Sequence, residues 1–324
     1  MISKTPSIAL IAGLAFFLLL LFASCEREVE LELPEAEAQL VVEGRIELGS
    51  PPIVLLSRSR GFFEPTSLED FAASYIDDAE VSINGIPLAR ICSDELPPGL
   101  SGLFEEATGF AIEQLGNLRI CAYVGTHPDL QGTENTTYHL KVEAMDRFAE
   151  SIAHLPRAHP PDSVWFRLWA NSPDFGLAFV KISDPDTAGN AYRVFTRRIA
   201  RPGPSLNSNP IDNSFYPPLG AAFIDDFFNG ETVELIFLRG QPPNSSRPTD
   251  QNEGARFFEI GDLFVFKLCS TTRPVYNFFN TYEAQIGSTG SPFAAPNNVE
   301  SNVEGALGVW AAYACTCDTV DTAP

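Results

Sequence analysis

Apolar and polar residues alternate along much of the chain after residue 38. In residues 137–144, apolar and polar side chains take turns: Tyr138, His139, Leu140, Lys141, Val142 and Glu143. A period of two buries one face of a β-strand and leaves the other in water. Ten further segments have a similar pattern, namely 39–47, 53–59, 80–85, 118–125, 163–169, 177–183, 191–198, 232–240, 262–269 and 307–314. These segments predict an all-β fold with one or two short helices.

Two segments have the period of a helix instead. The first spans residues 65–75, with Thr66 or Ser67 as its N-cap. The second lies near residues 272–286, where an aromatic stripe recurs at helical spacing through Val275, Phe278, Phe279, Tyr282 and Ile286. We expect this stripe to pack as core against a sheet. A platform for a ligand is the alternative.

The N-terminus has a pattern of its own. After a basic start, residues 8–22 contain no charged side chain, and the run ends at Ala23, Ser24 and Cys25. This run is short for a transmembrane helix and has the parts of a secretory signal. Its end is typical of a bacterial lipobox, although Phe22 stands where leucine is usual. We predict lipidation of Cys25; an unlipidated signal and an uncleaved anchor are the alternatives.

The chain is strongly acidic, with 42 Asp and Glu against 21 Lys and Arg and a net charge of −21. Loss of residues 1–24 removes one basic residue, Lys4, and takes −21 to −22. Such a surface repels phosphates and anionic headgroups, so we expect no nucleic-acid partner and membrane attachment through the lipid. Hydrophobic residues make up 44% of the chain, which excludes wholesale disorder.

Five cysteines remain besides the predicted lipidation site. Export into an oxidising compartment makes disulfides plausible. We predict one between Cys92 and Cys121, and a second between Cys269 and either Cys315 or Cys317. A zinc site at the last pair is disfavoured because no histidine lies nearby. We predict no cofactor.

Composition also suggests boundaries along the chain. The charged, proline-broken segment after Cys25 is typical of a tether. The proline-rich segment at residues 153–164 predicts a linker between two β-domains. The predicted divisions are a signal peptide at 1–24, an acidic tether at 25–38, β-domains at 39–155 and 156–318, and a tail at 319–324.

Motifs for catalysis are absent from the sequence, and no nucleophile elbow, zinc-protease motif or phosphate loop occurs. We therefore predict a protein that is not an enzyme, with a carboxylate-based hydrolase as a remote alternative. Asp184, Asp186 and Asn190 have the alternating spacing of calcium ligands. Their position between two strands favours a hairpin turn over a calcium site, and we predict no bound metal.

Aromatic side chains are the best candidates for ligand contact, since sugars and peptides stack on exposed rings. Trp165, Trp169 and Trp310 are the three tryptophans of the chain. The alternation of residues 163–169 places Trp165 and Trp169 on one face of a strand. Packing of these two rings between domains is the competing expectation.

Several segments occur together in one order: 31–59, 77–85, 156–164, 183–194, 225–235 and 291–313. As an ordered set that follows a lipobox, they resemble the Bacteroidota lipoproteins grouped as domain of unknown function 4249. The resemblance covers residues 26–313. It departs at the extra cysteines, the long loop at 241–253 and the C-terminal tail, and it brings no catalytic residues.

The resemblance implies a function in transport. Members are typically encoded near TonB-dependent outer-membrane transporters, which implies an accessory lipoprotein in nutrient capture. In this phylum, acidic residues after the lipidated cysteine resemble a surface-export signal. Glu26, Glu28 and Glu30 match that pattern in kind, although Arg27 interrupts them.

Together these observations predict a lipid-anchored outer-membrane protein at the cell surface, with the periplasmic face as the alternative. We expect a non-catalytic accessory or binding component of a TonB-dependent transporter, with a small-molecule, glycan or peptide ligand left open. The predicted folds are an Ig-like or transthyretin-like β-sandwich followed by a larger β-barrel or β-sandwich. A structural or adhesive surface module without a small ligand is the second hypothesis.

Overall fold

Sixteen β-strands lie within the residues that the computed structural model describes, which are 37–61, 67–97, 99–109, 112–115, 118–170, 172–201, 211–241, 253–288 and 298–323. The strands are β1 Leu40–Glu47, β2 Ile53–Arg58, β3 Glu80–Ile83, β4 Ile86–Pro87, β5 Ala89–Cys92, β6 Cys121–Val124, β7 Thr136–Ala144, β8 Arg147–Leu155, β9 Ser163–Leu168, β10 Phe175–Ser183, β11 Ala191–Ala200, β12 Ala222–Ile224, β13 Thr232–Phe237, β14 Phe258–Glu259, β15 Leu263–Thr271 and β16 Leu307–Asp321. The α-helices are α1 Leu68–Ala73, α2 Ser101–Thr108, α3 Ile112–Leu115 and α4 Arg273–Ser288.

The largest sheet has eight strands in the order β12-β11-β15-β16-β1-β2-β6-β5. Its centre is the parallel pair of β1 and β16, which joins the two ends of the described chain; the other pairs are antiparallel. The N-terminal half of β16 pairs with β1, and its C-terminal half pairs with β15. The sheet therefore takes strands from both sides of residue 155.

Two smaller sheets pack against one face of this large sheet. The first has the order β4-β3-β7-β8 and covers β1, β2 and the start of β16. The second contains β9, β10, β13 and β14 and covers β11, β15 and the end of β16. The alternation predicted from sequence places the buried side chains: in β15, Phe264, Phe266 and Leu268 face the second small sheet.

The opposite face of the large sheet carries the helices. Helices α2 and α3, with α1 beside them, cover β2, β5 and β6 through Phe104, Leu115 and neighbouring apolar side chains. Helix α4 and Phe215 cover β11, β15 and β16. The body is thus a layered β-sandwich with helices on one outer side.

Trp310 packs at the centre of the core between the large sheet and the first small sheet, which we call the first core. Its large ring requires small residues around it. Its side chain is fully buried, and a Cβ on Gly44 of the neighbouring strand would lie 2.7 Å from the indole ring. Gly308, two residues earlier, has φ of +116°, and a Cβ there would lie 2.0 Å from the carbonyl oxygen of Val42. Glycine at both positions lets β1 and β16 approach around the large ring.

The two predicted helices are present. Helix α1 begins after Ser67, whose side chain accepts from the Asp70 N–H in a capping box. Helix α4 buries Val275, but Tyr282 and Ile286 are 45% and 51% exposed. The expectation that the whole stripe is core is wrong for its C-terminal half. Helices α2 and α3 were not predicted.

The prediction of an all-β fold is confirmed. The described strands form open, packed sheets, so the C-terminal part is a sandwich rather than a barrel. The division at 155/156 stays a prediction. Residues 38–324 form one compact unit, and the large sheet takes strands from both sides of this position. Strand β16 runs to Asp321, three residues into the predicted tail.

The predicted signal peptide, lipidation site and nearly all of the tether lie outside the described residues. This includes Cys25, Glu26, Glu28 and Glu30. Among the helices that the structure does describe, none has the length and hydrophobicity needed to cross a bilayer.

Candidate functional site

Trp165 and Trp169 lie on the outer face of the second small sheet, away from the large sheet. The strand β9 alternates: Val164 and Phe166 pack into the core, and the odd-numbered residues point outward. The register of the sheet places Trp165, Phe179 and Ile236 side by side on β9, β10 and β13. We call this outer surface the aromatic face.

Close ring contacts order the centre of the aromatic face. The rings of Trp165 and Phe179 stack with centroids 5.8 Å apart and planes 26° from parallel. The Arg167 guanidinium lies 5.1 Å from the centroid of the same Phe179 ring. Stacking and cation–π contacts of this kind each contribute about 0.5–1.5 kcal/mol. They hold the Trp165 and Arg167 side chains against the sheet.

A shallow groove of about 320 Å³ opens at one end of the aromatic face. Its lining is apolar except for one guanidinium and consists of Trp169, Leu177, Ile236, Leu238, Arg256 and Phe257. Trp169 and Ile236 are 48% and 55% exposed, and the Trp169 ring lies 6.2 Å from that of Phe257. Large apolar side chains therefore remain in water here, beside a concave surface.

The local charge of the face differs from that of the whole chain. Arg167 lies on the face and Arg256 lines the groove, and neither guanidinium has an ion-pair partner within the described ranges. The Nε atom of Arg256 is buried without a hydrogen-bond partner there. Further along the sheet, Lys181 lies opposite Glu234, and the Asp162 carboxylate accepts from the Ser183 hydroxyl on the same face, so the positive charge is confined to the end with the two arginines. The aromatic face thus attracts carboxylates, although the chain has a net charge of −21.

This composition is that of a protein-contact surface. Cores of protein–protein interfaces are enriched in aromatic residues and arginine, and Trp and Arg dominate their binding energy. Small-molecule sites are usually deeper concavities that bury most of the ligand. The geometry of the aromatic face therefore favours docking over enclosure of a small ligand.

Trp310, the third tryptophan proposed for ligand contact, is in a different place. It is fully buried in the first core, and its indole N–H donates to the Tyr138 carbonyl oxygen at 3.1 Å. A residue that bridges two packed sheets has no surface to offer a ligand. The expectation for Trp310 is wrong, because β16 is a central strand with both faces covered.

Asp184, Asp186 and Asn190 lie in the turn between β10 and β11. Asp184 accepts from the Tyr192 hydroxyl at 2.5 Å and from the Gly230 N–H at 3.2 Å, while the Asn190 side chain donates to the Thr187 carbonyl at 2.7 Å. Burial, together with the bond to Asp184, raises the pKa of Tyr192. These contacts make a structural turn.

Asp225 completes this arrangement from the neighbouring loop. Its carboxylate accepts from the N–H groups of Gly189 and Asn190 at 2.9 Å each. Nowhere in the described part of the chain do three or more His, Cys, Asp or Glu side chains gather in a way that suits a metal ion. The acidic side chains of the turn are used to join two loops.

The cysteines form two cross-strand disulfides. Cys92 bonds Cys121 between β5 and β6, and Cys269 bonds Cys315 between β15 and β16. Both join residues that are directly opposite in the sheet. Of the two partners considered for Cys269, Cys315 is the one used, while Cys317 lies exposed two residues later.

A buried ionic network lies at the start of β15 and was not predicted. Asp262 is fully buried and pairs with Arg201 at 2.7 Å and with Arg198 at 3.5 Å, and Arg201 also reaches Glu259 at 3.0 Å. Burial lowers the pKa of Arg198, an effect reinforced by Arg239. These carboxylates are buried and held by arginines in the interior.

Sequence reasoning missed Arg256, Ile236 and Phe257, which complete the groove. Arg167 had a usable signal, because it shares the odd-numbered positions of Trp165 and Trp169. The other three come from β13 and from the segment before β14, and no local pattern links those segments to β9.

Comparisons with known proteins add little to this geometry. No protein-family model matches the chain, and no curated protein matches it. Among solved structures, the chain is similar to bovine butyrophilin, with 10% sequence identity over 74% of this chain and 93% of that one, at a TM-score of 0.17. Such a TM-score supports no inference about fold or function. The resemblance to the Bacteroidota lipoproteins stays a prediction.

Proposed function

We propose that this protein is a lipid-anchored outer-membrane lipoprotein that docks to a protein partner through its aromatic face. The partner we propose is a TonB-dependent transporter, and the role is that of a non-catalytic accessory in nutrient capture at the cell surface. The observation that carries the docking role is the exposed band of tryptophan and arginine on the second small sheet. An Ig-like or transthyretin-like arrangement of residues 39–155 stays a prediction.

Physical chemistry supports docking at this face. Half-exposed Trp169 and Ile236 lose their contact with water when a partner covers them, which contributes about 25 cal/mol per Å² of apolar surface. Arg167 is held over Phe179 and needs little further ordering to meet a carboxylate. A partner with an apolar patch and nearby acidic residues fits both features.

Metabolic labelling tests the anchor. With an alkyne analogue of palmitate, we expect label on the wild-type protein and none on Cys25→Ala. Persistent labelling of that variant would contradict lipidation at this residue. Accessibility of the intact protein to protease on whole cells distinguishes the outer surface from the periplasmic face.

Affinity purification from solubilised membranes tests the docking. We expect the wild-type lipoprotein to recover a TonB-dependent transporter and Trp169→Ala to lose most of it. Phe148→Ala is a matched control, because Phe148 is also 48% exposed but lies on β8 of the other small sheet. Equal recovery by Trp169→Ala and Phe148→Ala would argue against the aromatic face. Absence of any transporter would favour the adhesive module.

A further inference from the structure

Strand β9 is an edge strand. It pairs with β10 along its whole length, and on its other side no described strand pairs with it. Unpaired edges present a row of free N–H and C=O groups to any extended chain that approaches. The aromatic face therefore borders on an open sheet edge.

The backbone groups that face outward can be identified from the register. The Trp169 N–H donates to the Phe175 carbonyl oxygen at 2.8 Å, and the pairing of β9 with β10 keeps one register throughout. Hydrogen-bonded pairs alternate along an antiparallel ladder. The odd-numbered residues of β9 thus bond to β10, and Val164, Phe166 and Leu168 direct their N–H and C=O groups to the free edge.

The side chains at this edge are incompletely covered. The even-numbered side chains of β9 point toward the second core, which lies between the large sheet and the second small sheet. Of these, Val164 and Phe166 are only partly buried, and Leu168 is 43% exposed. A core is normally closed at this position by a further strand or loop. Among the described residues, the edge of the sandwich therefore offers both uncovered apolar side chains and unpaired backbone groups.

Common protections against strand addition are missing from β9. Edge strands are usually blocked by proline, a bulge, lysine or inward-pointing charge. Residues 163–168 contain no proline, and their register with β10 is free of shifts. Pro161 and an irregular bond from the Asp162 N–H to the Lys181 carbonyl, at 2.8 Å, stand just before the strand and leave these six residues clear. The single charge is Arg167, which points outward over Phe179. An unprotected edge of six residues is long enough to accept a partner strand.

We propose that β9 binds an extended segment of a partner protein as an added β-strand. The segment has apolar side chains on the face toward Val164 and Phe166, and a carboxylate on the other face beside Arg167. Main-chain hydrogen bonds supply affinity in this mode, and alternate side chains supply specificity. The Arg167 guanidinium, which has no ion-pair partner among the described residues, selects an acidic segment. This inference rests on the proposed docking function and specifies how the partner binds.

Fluorescence anisotropy with the purified full-length lipoprotein tests the inference. The probes are two short labelled peptides, one of alternating valine and glutamate and one of alternating valine and lysine. We expect saturable binding of the glutamate peptide, weakened about tenfold or more by Arg167→Glu. The same variant is expected to gain binding of the lysine peptide. Lys141→Glu, an exposed charge change on β7, is the control and leaves both affinities unchanged.

A second pair of variants tests the backbone contact. Leu168→Pro removes one outward N–H and spares the bonds to β10, whereas Leu168→Ala removes only side-chain contacts. We expect the proline variant to bind at least about fivefold more weakly than the alanine variant. Circular dichroism and thermal unfolding verify that both are folded. Hydrogen exchange on the wild type, which requires no variant, is expected to show slower exchange of the Val164, Phe166 and Leu168 amides with peptide bound.

Three results would overturn the inference: failure of the wild-type protein to bind either peptide, equal binding by the proline and alanine variants, or unchanged exchange at those amides. Dimerisation of the lipoprotein through β9, seen by analytical ultracentrifugation and lost in Leu168→Pro, would replace the partner segment by a second copy. Loss of the transporter in affinity purification with peptide binding intact would refute the proposed function and leave the strand addition standing.

Discussion

The ion pair of Lys267 and Glu47 allows a quantitative test of the packing on the face of the large sheet that the helices cover. Lys267 lies on β15 with a side chain 6% exposed, and its Nζ is 2.7 Å from a carboxylate oxygen of Glu47 on β1. It also lies 5.6 and 4.8 Å from the ring centroids of Phe195 and Phe215. The perturbation is Lys267→Met, which keeps most of the packing and removes the charge.

The expected magnitude follows from the distance and the burial. At 2.7 Å and an effective dielectric constant of about 20, two unit charges attract by about 6 kcal/mol. Desolvation of the two ions cancels much of that attraction. Removal of Lys267 leaves the Glu47 carboxylate largely buried with only Arg45 and Arg193 to offset its charge, so we expect Lys267→Met to lower the free energy of unfolding by at most about 3–5 kcal/mol. Lys267→Met with Glu47→Leu should recover most of this loss.

The pH dependence gives a second readout. Burial alone would raise the pKa of Glu47, but Lys267, Arg45 and Arg193 outweigh it and hold the pKa below its ordinary value. A carboxyl group with a lowered pKa in the folded state stabilises the protein above its unfolded pKa. That contribution is lost as the pH falls through the folded pKa. The difference between wild type and Lys267→Met should therefore be full near neutral pH and shrink in acid.

The assay is urea unfolding at several pH values, followed by tryptophan fluorescence, to which Trp165, Trp169 and buried Trp310 all contribute, and by circular dichroism. A loss below about 1 kcal/mol for Lys267→Met would refute the reasoning, since it would place the pair among exposed ion pairs. A double variant that is less stable than the single variant would also refute it. A difference that grows in acid would mean that the sign of the Glu47 shift is wrong.

Three further predictions concern the core, the acidic turn and a disulfide. Trp310→Phe should lower the free energy of unfolding by about 1–3 kcal/mol, because it leaves a cavity and removes the indole hydrogen bond to the Tyr138 carbonyl. Denaturant unfolding followed by circular dichroism measures this, and a neutral change would contradict the packing. Calcium should leave the thermal midpoint unchanged in calorimetry, since Asp184 and Asp225 are already bonded to protein donors, and a rise that a chelator reverses would contradict this. Replacing Cys269 and Cys315 together by serine should cost about 2–4 kcal/mol, because the bridge spans 46 residues; equal midpoints with and without reductant in the wild type would count against it.

Strand β8 shows why one strong element escaped sequence reasoning. Its buried positions hold small side chains, including Ala149, Ser151 and Ala153, whereas Phe148 and Ile152 are exposed. The hydropathy pattern is therefore inverted relative to the true burial. Small residues suffice because the large Trp310 fills the space beneath this sheet.

Helix α4 illustrates the opposite error. The stripe from Val275 to Ile286 is regular, and periodicity predicts a single buried face. Only the first half lies on the sheet, and Tyr282 and Ile286 extend beyond it. Periodicity reports which residues share a side of a helix, but the length of the surface beneath it is a tertiary property.

Alternation and composition were enough to predict the class of fold. Period-two alternation specifies strands because a pleated backbone sends neighbouring side chains to opposite faces, and eleven strands were located from that rule. It also placed Trp165 and Trp169 on one face of one strand. The acidic composition and the lipobox pattern at Cys25 predict an exported protein without nucleic-acid partners, and both statements stay predictions.

Which faces are covered, and which residues meet, became visible in the folded chain. The parallel pairing of β1 with β16 is a contact between distant segments, and it buries Trp310. Strand β9 remains at an edge, with Trp165 half-buried and Trp169, just past its end, 48% exposed. Arg256 reaches the groove from a segment far from β9 in sequence. Local patterns cannot specify such meetings, because they depend on the order of strands in the sheets rather than on the period within any one strand.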